Sequence, residues 1–347
     1  MRRKPRTLLI MIVAVATISV VSLCASLYKC IWGENVRTPD GNGVSVFIAT
    51  DSDFQAVEDS IFSSCHIIRP WGFRTLAKRL NYVGNIKPGH YVIKDGMSNI
   101  QLINMLRFGR QIPVKVVFNN IRTIEQLAGR ISEEIEADSL SILNAIRNDS
   151  CLKADGFNQY NYASIFIPNT YEFYWNTDAK GFLNRMRREY KIFWNESRLQ
   201  KAEGKNLTPL EVSTLASIVD KETSKVSEMR AIAGVYLNRL RKNRLLQADP
   251  TLVFAIGDYG IHRVLNVHKE IDSPYNTYKY IGLPPGPICI PSIAAIDAVL
   301  DAENHKYFYF CAKDDLSGYH VFAKTLDEHN ANAERYRRAL NKNRIYR

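Results

Sequence analysis

One feature constrains this chain more than any other. Thr7–Leu27 is a run of 21 residues without a charge, rich in Leu, Ile and Val, directly after a basic cluster of Arg2, Arg3, Lys4 and Arg6. As a helix it reaches about 30 Å, the thickness of the hydrocarbon layer. Charges ahead of the run keep the N-terminus in the cytoplasm and send the rest of the chain across the membrane. The rival is a cleaved signal peptide, whose apolar region is shorter, about 7–15 residues, and ends in an A-x-A-like site. A lipoprotein signal at Cys24 needs a small residue where Leu23 stands. The implied plan is a basic tail at 1–6, a membrane helix at 7–29 and a short polar linker at 30–43.

The remainder is long enough for a real core. Of 46 Lys and Arg, five precede residue 31 with no acid among them, so 41 bases meet 35 acids beyond it. That mild surplus, with 46% apolar and 23% charged residues, excludes a disordered or polytopic chain. No basic tract interleaved with aromatics is present, so nucleic acid is not an expected partner. The six cysteines show no C-x-x-C spacing. Cys24 and Cys30 lie in or beside the span; the other four, Cys65, Cys151, Cys289 and Cys311, support neither a zinc site nor a disulfide framework and read as buried free thiols.

Beyond the linker the chain reads as α+β in two pieces. Val44–Ile48 and His90–Ile93 read as strands, and Phe54–Phe62 and Phe73–Leu80 as helices broken by Arg69-Pro70-Trp71-Gly72. Ser98 and Gln101 form a capping box for a helix ended by Gly109. These make a small module over 44–112. The larger piece, 113–347, opens with a strand at Val114–Phe118. A second capping box at Thr123 and Gln126 comes next, then a short helix at 139–148, a strand-like Ser164–Trp175 and an amphipathic helix at Phe182–Trp194.

Leu207–Thr223 (LTPLEVSTLASIVDKET) is the informative helix. Thr208 caps it, Pro209 suits its first position and Glu211 completes a capping box. With Glu222 at 0° and 100° per residue, Leu215 falls at about 20°, Val219 at about 60°, Val212 at about 80° and Ile218 at about −40°. Ser213, Ser217 and Asp220 fall at about 180°, 220° and 160°. Glu222 therefore extends the apolar stripe, whereas Asp220 joins the polar face. A carboxyl on a core-facing stripe has a raised pKa, as a general acid needs near neutral pH. Geometry alone leaves a plainer reading open, in which the last turn frays and Glu222 pairs with Lys225.

Ala231–Leu240 is a further helix with Ile232, Val235 and Tyr236 inward, and Tyr307–Cys311 a strand. Between them lie loops dense in Tyr, Asn, Thr and Pro: Leu246–Thr251, Ser273–Tyr278 and Gly282–Ile288. They suit a sugar chain, and they suit plain turns equally well. The histidines form no metal spacing, and no nucleophile elbow, phosphate loop or dinucleotide fingerprint occurs.

In order and spacing, Leu215–Thr223 (LASIVDKET), Gly234–Arg241 (GVYLNRLR), Leu246–Thr251 (LQADPT), Ser273–Tyr278 (SPYNTY), Gly282–Ile288 (GLPPGPI) and His320–Asn330 resemble the endolytic murein transglycosylases, the MltG/YceG-like family. The resemblance extends to the N-terminal span and to the small module, which looks like that family's LysM-like domain. It implies that the second acid of the family's E-K-E-T motif, here Glu222, is catalytic. The motif's first acid is Asp220 here. A larger departure lies in Ala163–Tyr171, where Ala163 and Asn169 stand at acidic positions of the family. Glu172 is close but shifted.

The resemblance implies cleavage of the β-1,4 bond between N-acetylmuramic acid and N-acetylglucosamine within nascent strands, leaving 1,6-anhydro ends and limiting strand length. No cofactor or metal is implied. Gln247, Asp249, Tyr275, Asn276, Thr277 and His320 are expected to hold the glycan. The inner membrane is the expected location, with the larger piece in the periplasm and peptidoglycan synthases as partners. Two rivals stand: a tethered glycan-binding scaffold without chemistry, and a muramidase that hydrolyses the same bond. The muramidase needs a second carboxylate, for which Glu172 is the sequence candidate.

Overall fold

The computed structural model describes residues 4–261 and 263–343. Arg2 and Arg3 of the basic cluster lie outside them. The elements in chain order are α1 (Lys4–Trp32), β1 (Val36–Arg37), β2 (Val44–Ile48), α2 (Phe54–Ser64), β3 (His66–Ile67), α3 (Pro70–Arg79), β4 (Gly89–Ile93), α4 (Asn99–Arg107) and β5 (Val114–Val117). Next come α5 (Ile124–Ser132), α6 (Ser139–Asn148), α7 (Ser150–Ala154), β6 (Thr170–Phe173), α8 (Ala179–Phe193), α9 (Glu196–Glu203), α10 (Pro209–Glu222) and α11 (Val226–Arg241). The chain ends with α12 (Asp249–Ile256), α13 (Ile293–Leu300), β7 (Tyr309–Ala312), β8 (His320–Ala323) and α14 (Leu326–Lys342). Helix and strand are mixed, as expected, with helices dominant.

Two compact units emerge, one running through Lys115 with Glu134–Glu136 and Glu172–Thr177, the other holding the rest. In the first, β2 and β4 pair antiparallel, Val46 opposite Tyr91 and Val44 opposite Ile93. Alternation on β4 sends Gly89, Tyr91 and Ile93 inward. They meet Val57 and Ile61 of α2, Phe73 of α3 and Leu102 of α4 in one core. Helix α1 carries a long, mostly apolar stretch, and no residue from Leu8 to Trp32 is buried.

The expected linker is not loose. Asn35 and Val36 are fully buried. β1 pairs with β3, and the Thr38 amide donates to Asp95 Oδ1 at 2.8 Å. The polar composition of 30–43 misleads because its polar groups bond inward. The second half of the Thr123 capping box is also absent: Thr123 accepts from the Gln126 amide, but the Gln126 side chain accepts from Arg122 N instead.

In the second unit α10 is central, enclosed by α9, α11, α12 and α13. Its N-terminal capping box is complete: Thr208 Oγ1 accepts from Glu211 N, and Glu211 Oε2 accepts from Thr208 N at 2.7 Å. Such a cap is worth about 1 kcal/mol. Burial runs all round α10 from Val212 to Val219, so Ser213 and Ser217 are not on an open face. Ser217 Oγ donates to Thr214 O and accepts from Ile288 N at 2.9 Å, which pins the Gly282–Ile288 loop to the helix. That loop also explains a glycine. A Cβ on Gly286 would lie 1.9 Å from Tyr160 O, so no larger residue fits.

α12 occupies a stretch that reads as loop. Pro250 in its first turn and Gly257 at its left-handed C-cap, φ 79°, mark its ends. Its apolar residues run without a face, so periodicity gives no signal. The thiols differ from one another. Cys65 and Cys289 are buried, and burial pushes them to about 11 and about 12. Cys24 and Cys151 are exposed, and Cys30 and Cys311 half-buried.

Candidate functional site

Glu222 is the last residue of α10, and Thr223 caps the helix by donating its amide to Val219 O. The final turn therefore holds. Lys225 does not reach Glu222: its Nζ lies over the Tyr319 ring, 5.2 Å from the centroid. Asp220 turns the other way and accepts from the Ser292 hydroxyl.

Glu222 sits partly exposed in a hollow walled by α11, the start of α12 and the β7 strand. Tyr236, only 2% exposed, donates its hydroxyl to Glu222 Oε1 at 2.5 Å. Surrounding protein raises the Glu222 carboxyl from 4.5 to about 7 by excluding water. The Tyr236 hydrogen bond opposes that rise by favouring the anion, and the nearby charge of Asp249 adds to it. Tyr236 is raised well above 10, first by burial and then by the facing carboxylate, so it is a donor at neutral pH. A carboxyl poised near 7 can give a proton to a leaving oxygen and take one back.

The wall is braced by Arg239, 8% exposed on α11. Its Nε donates to Phe308 O at 2.6 Å, and its Nη1 to Leu245 O, Leu246 O and Gln247 Oε1 at 3.0, 3.1 and 2.9 Å. Gln247 holds a left-handed φ of 54° and spends its amide oxygen on Arg239. The Tyr278 hydroxyl donates to Asp249 Oδ1. His329 stacks on Tyr309 with centroids 5.4 Å apart, and burial lowers its pKa.

The six expected glycan-holding residues part company. Gln247 and Asp249 line the Glu222 hollow. Asn276 and Thr277 are enclosed and their side chains are spent within the protein. Asn276 Nδ2 donates to Lys269 O and Ile271 O, both at 2.8 Å. Thr277 Oγ1 accepts from Ala248 N and bonds Thr251 Oγ1. They fix the loop that carries Tyr278. Tyr275 packs on Phe254 at 4.7 Å and lines a hollow further along. His320 is tied to Glu228, with Nδ1 3.1 Å from Oε2.

Glu222 and Asp249 also line a second hollow with Arg122, Phe254 and Tyr259. Arg122 and Phe254 continue into a third, beside Tyr160 and Tyr275. The depression thus extends past Glu222 on both sides. Among the described residues no group of three or more His, Cys, Asp or Glu side chains gathers as a metal site needs.

Sequence reasoning missed Tyr236, Arg239, Tyr278 and His329 as site residues. One signal was available for Tyr236: a tyrosine on an inward helix face needs a partner for its hydroxyl. Glu172, exposed on β6, belongs to the first unit. The carboxylate brought beside Glu222 is Asp249.

Known proteins resemble this chain over most of its length. The chain is 28% identical over 319 residues to an endolytic murein transglycosylase of Bacillus subtilis strain 168, covering 87% of each. It is 27% identical over 333 residues to an endolytic murein transglycosylase of Streptococcus pneumoniae strain R6, covering 86% of this chain and 59% of that one. A crystal structure of a yceG-like protein of Listeria monocytogenes superposes with a TM-score of 0.54 at 26% identity, over 84% of this chain and 99% of the other. The YceG-like family model matches residues 46–335, and the chain belongs to that family.

Proposed function

We propose that this protein is an endolytic murein transglycosylase that cuts the N-acetylmuramic acid to N-acetylglucosamine bond inside peptidoglycan strands, with Glu222 as acid and then base. The observation that carries the reading is a carboxyl held near pKa 7 in a depression continuing on both sides of it. The names of the relatives point to the same substrate.

Protonated Glu222 gives its proton to the glycosidic oxygen as the bond to the muramyl C1 breaks, and the glucosaminyl chain leaves with a free hydroxyl. The substrate's own N-acetyl group supports the cationic C1. The Glu222 carboxylate, steadied by the Tyr236 hydroxyl, removes the proton from the muramyl C6 hydroxyl. That oxygen closes on C1 and forms the 1,6-anhydro ring. No water is consumed, and proximity within one sugar supplies part of the rate.

Asp249 favours a second reading, hydrolysis. A second carboxylate beside the acid can activate water. Digestion of purified strands in ¹⁸O-water tests the choice. Anhydro ends are about 20 mass units below the labelled hydrolysis product, because ring closure adds no water. Label at the new muramyl end would establish a muramidase instead.

The finer placement is also proposed. α1 is a single inner-membrane span with its N-terminus in the cytoplasm, supported by its long apolar stretch, of which no residue from Leu8 to Trp32 is buried. The catalytic unit is then periplasmic, which an active alkaline phosphatase fused after Arg347 would support and an inactive one would contradict. The first unit is read as LysM-like from two helices, α2 and α3, lying in sequence between the antiparallel partners β2 and β4, with the short β3 between the helices. Synthases of new strands are proposed as partners on the family's link to nascent glycan.

A further inference from the structure

We propose that the first unit rests on the bilayer through Trp71, Ile68 and the cations of α3, next to the point where α1 leaves the membrane. This rests on α1 being the membrane span and adds where the unit behind it lies.

The exit of α1 is fastened to the unit. Asn99 Nδ2 donates to Cys30 O at 2.8 Å. A Cβ on Gly72 would stand 2.2 Å from Cys30 Sγ, so the first turn of α3 lies against the last turns of α1. Buried Asn35 donates to Asn99 Oδ1 and accepts from Arg69 N, both at 2.7 Å. Arg69 Nη1 donates to Glu34 O at 3.0 Å. Residues 68–72 are therefore held at the level of the helix end.

That level is aromatic. Tyr28 and Trp32 of α1 stack at 5.4 Å and are 64% and 56% exposed. Trp71, beside Gly72, is 67% exposed, and Ile68 is 41% exposed. Large apolar rings open to water gain by sinking to headgroup level, where Trp and Tyr gather. α3 sorts its residues accordingly. Gly72, Phe73 and Ala77 enter the core, whereas Trp71, Arg74 and Lys78 share the outer face at steps of three and four. An exposed ring followed by cations matches acyl carbons topped by phosphates. Arg74 also pairs with Glu58 at 2.8 Å, yet half its side chain stays open. Continuity with α1 selects lipid over a protein partner, because headgroups already surround the helix exit.

The test uses the full chain in vesicles of phosphatidylethanolamine and phosphatidylglycerol, some carrying a lipid brominated near the glycerol. Tryptophan emission of the wild type, Trp71→Phe and Trp32→Phe gives each ring's contribution by difference. The expected result is that bromine quenches the Trp71 contribution and that aqueous iodide does not reach it. Quenching of Trp32 without Trp71, with Trp71 open to iodide, would overturn the proposal and leave the anchor standing. Escape of both rings from bromine would remove the anchor itself, and this proposal with it.

Discussion

The hydroxyl of Tyr236 and the carboxylate of Glu222, fourteen positions apart in sequence, meet at 2.5 Å across the junction of α10 and α11. The bond sets two properties of the acid at once. It aims Oε1, and it holds the pKa below what burial alone would give. Asp249 pulls the other way and adds to the rise from burial, so the value near 7 is a balance of burial, one hydrogen bond and one neighbouring charge.

Glu222→Gln is expected to lower cleavage by about 10²–10⁴-fold, the usual share of a general acid. Asp220→Asn should lose far less, since Asp220 faces Ser292 rather than the hollow. Release of anhydro fragments from purified strands measures both. Equal losses in the two variants would contradict the assignment.

Activity should fall as pH rises through about 7, because the first step needs Glu222 protonated. Tyr236→Phe removes a bond that favours the anion, so the alkaline limb should move up, by about one pH unit. Asp249→Asn removes a neighbouring negative charge, so the limb should move down. Opposite displacements in the two pH–rate profiles are the expected result, and displacement in one direction would break the account. Residual cleavage by Asp249→Asn with unchanged anhydro products would also separate ring closure from hydrolysis.

The same raised pKa carries a cost in stability. The folded value of about 7 lies above the ordinary 4.5, so stability is whole at low pH and declines as pH climbs through that interval. Glu222→Gln should therefore be more stable than the wild type above pH 7, by of order 1–3 kcal/mol, and equal to it near pH 4. Urea unfolding at the two pH values measures this.

Gly286→Ala should destabilise the second unit by about 1–3 kcal/mol or more, since its Cβ would meet Tyr160 backbone oxygen. Thermal unfolding reports it. A neutral outcome would mean that the Gly282–Ile288 loop yields easily, against its anchor on Ser217.

Local rules made α10 legible: a capping box, a proline at its start and a stripe that ends on Glu222. The wheel turned Glu222 away from the face of Asp220, and Glu222 does line the hollow, but it misjudged Ser213 and Ser217, because packing on several sides buries a polar face as readily as an apolar one. Asp249 could not be paired with Glu222 from sequence. Their meeting depends on how α12 docks, and α12 lacks a periodic face. Asn276 looked like a sugar ligand by residue type, yet its amide closes a turn. Type alone does not tell a ligand from a brace.

The buried Asn35–Asn99 pair makes the joint behind α1 a weld rather than a hinge. The Asn99–Cys30 bond ties α1 to that joint, so a tilt of α1 in a bilayer would be passed on to the first unit. Helices tilt when the hydrocarbon layer thins or thickens. On the proposed anchoring, membrane thickness would become a variable that bears on how this unit is presented to the wall, with no change in any of its own residues.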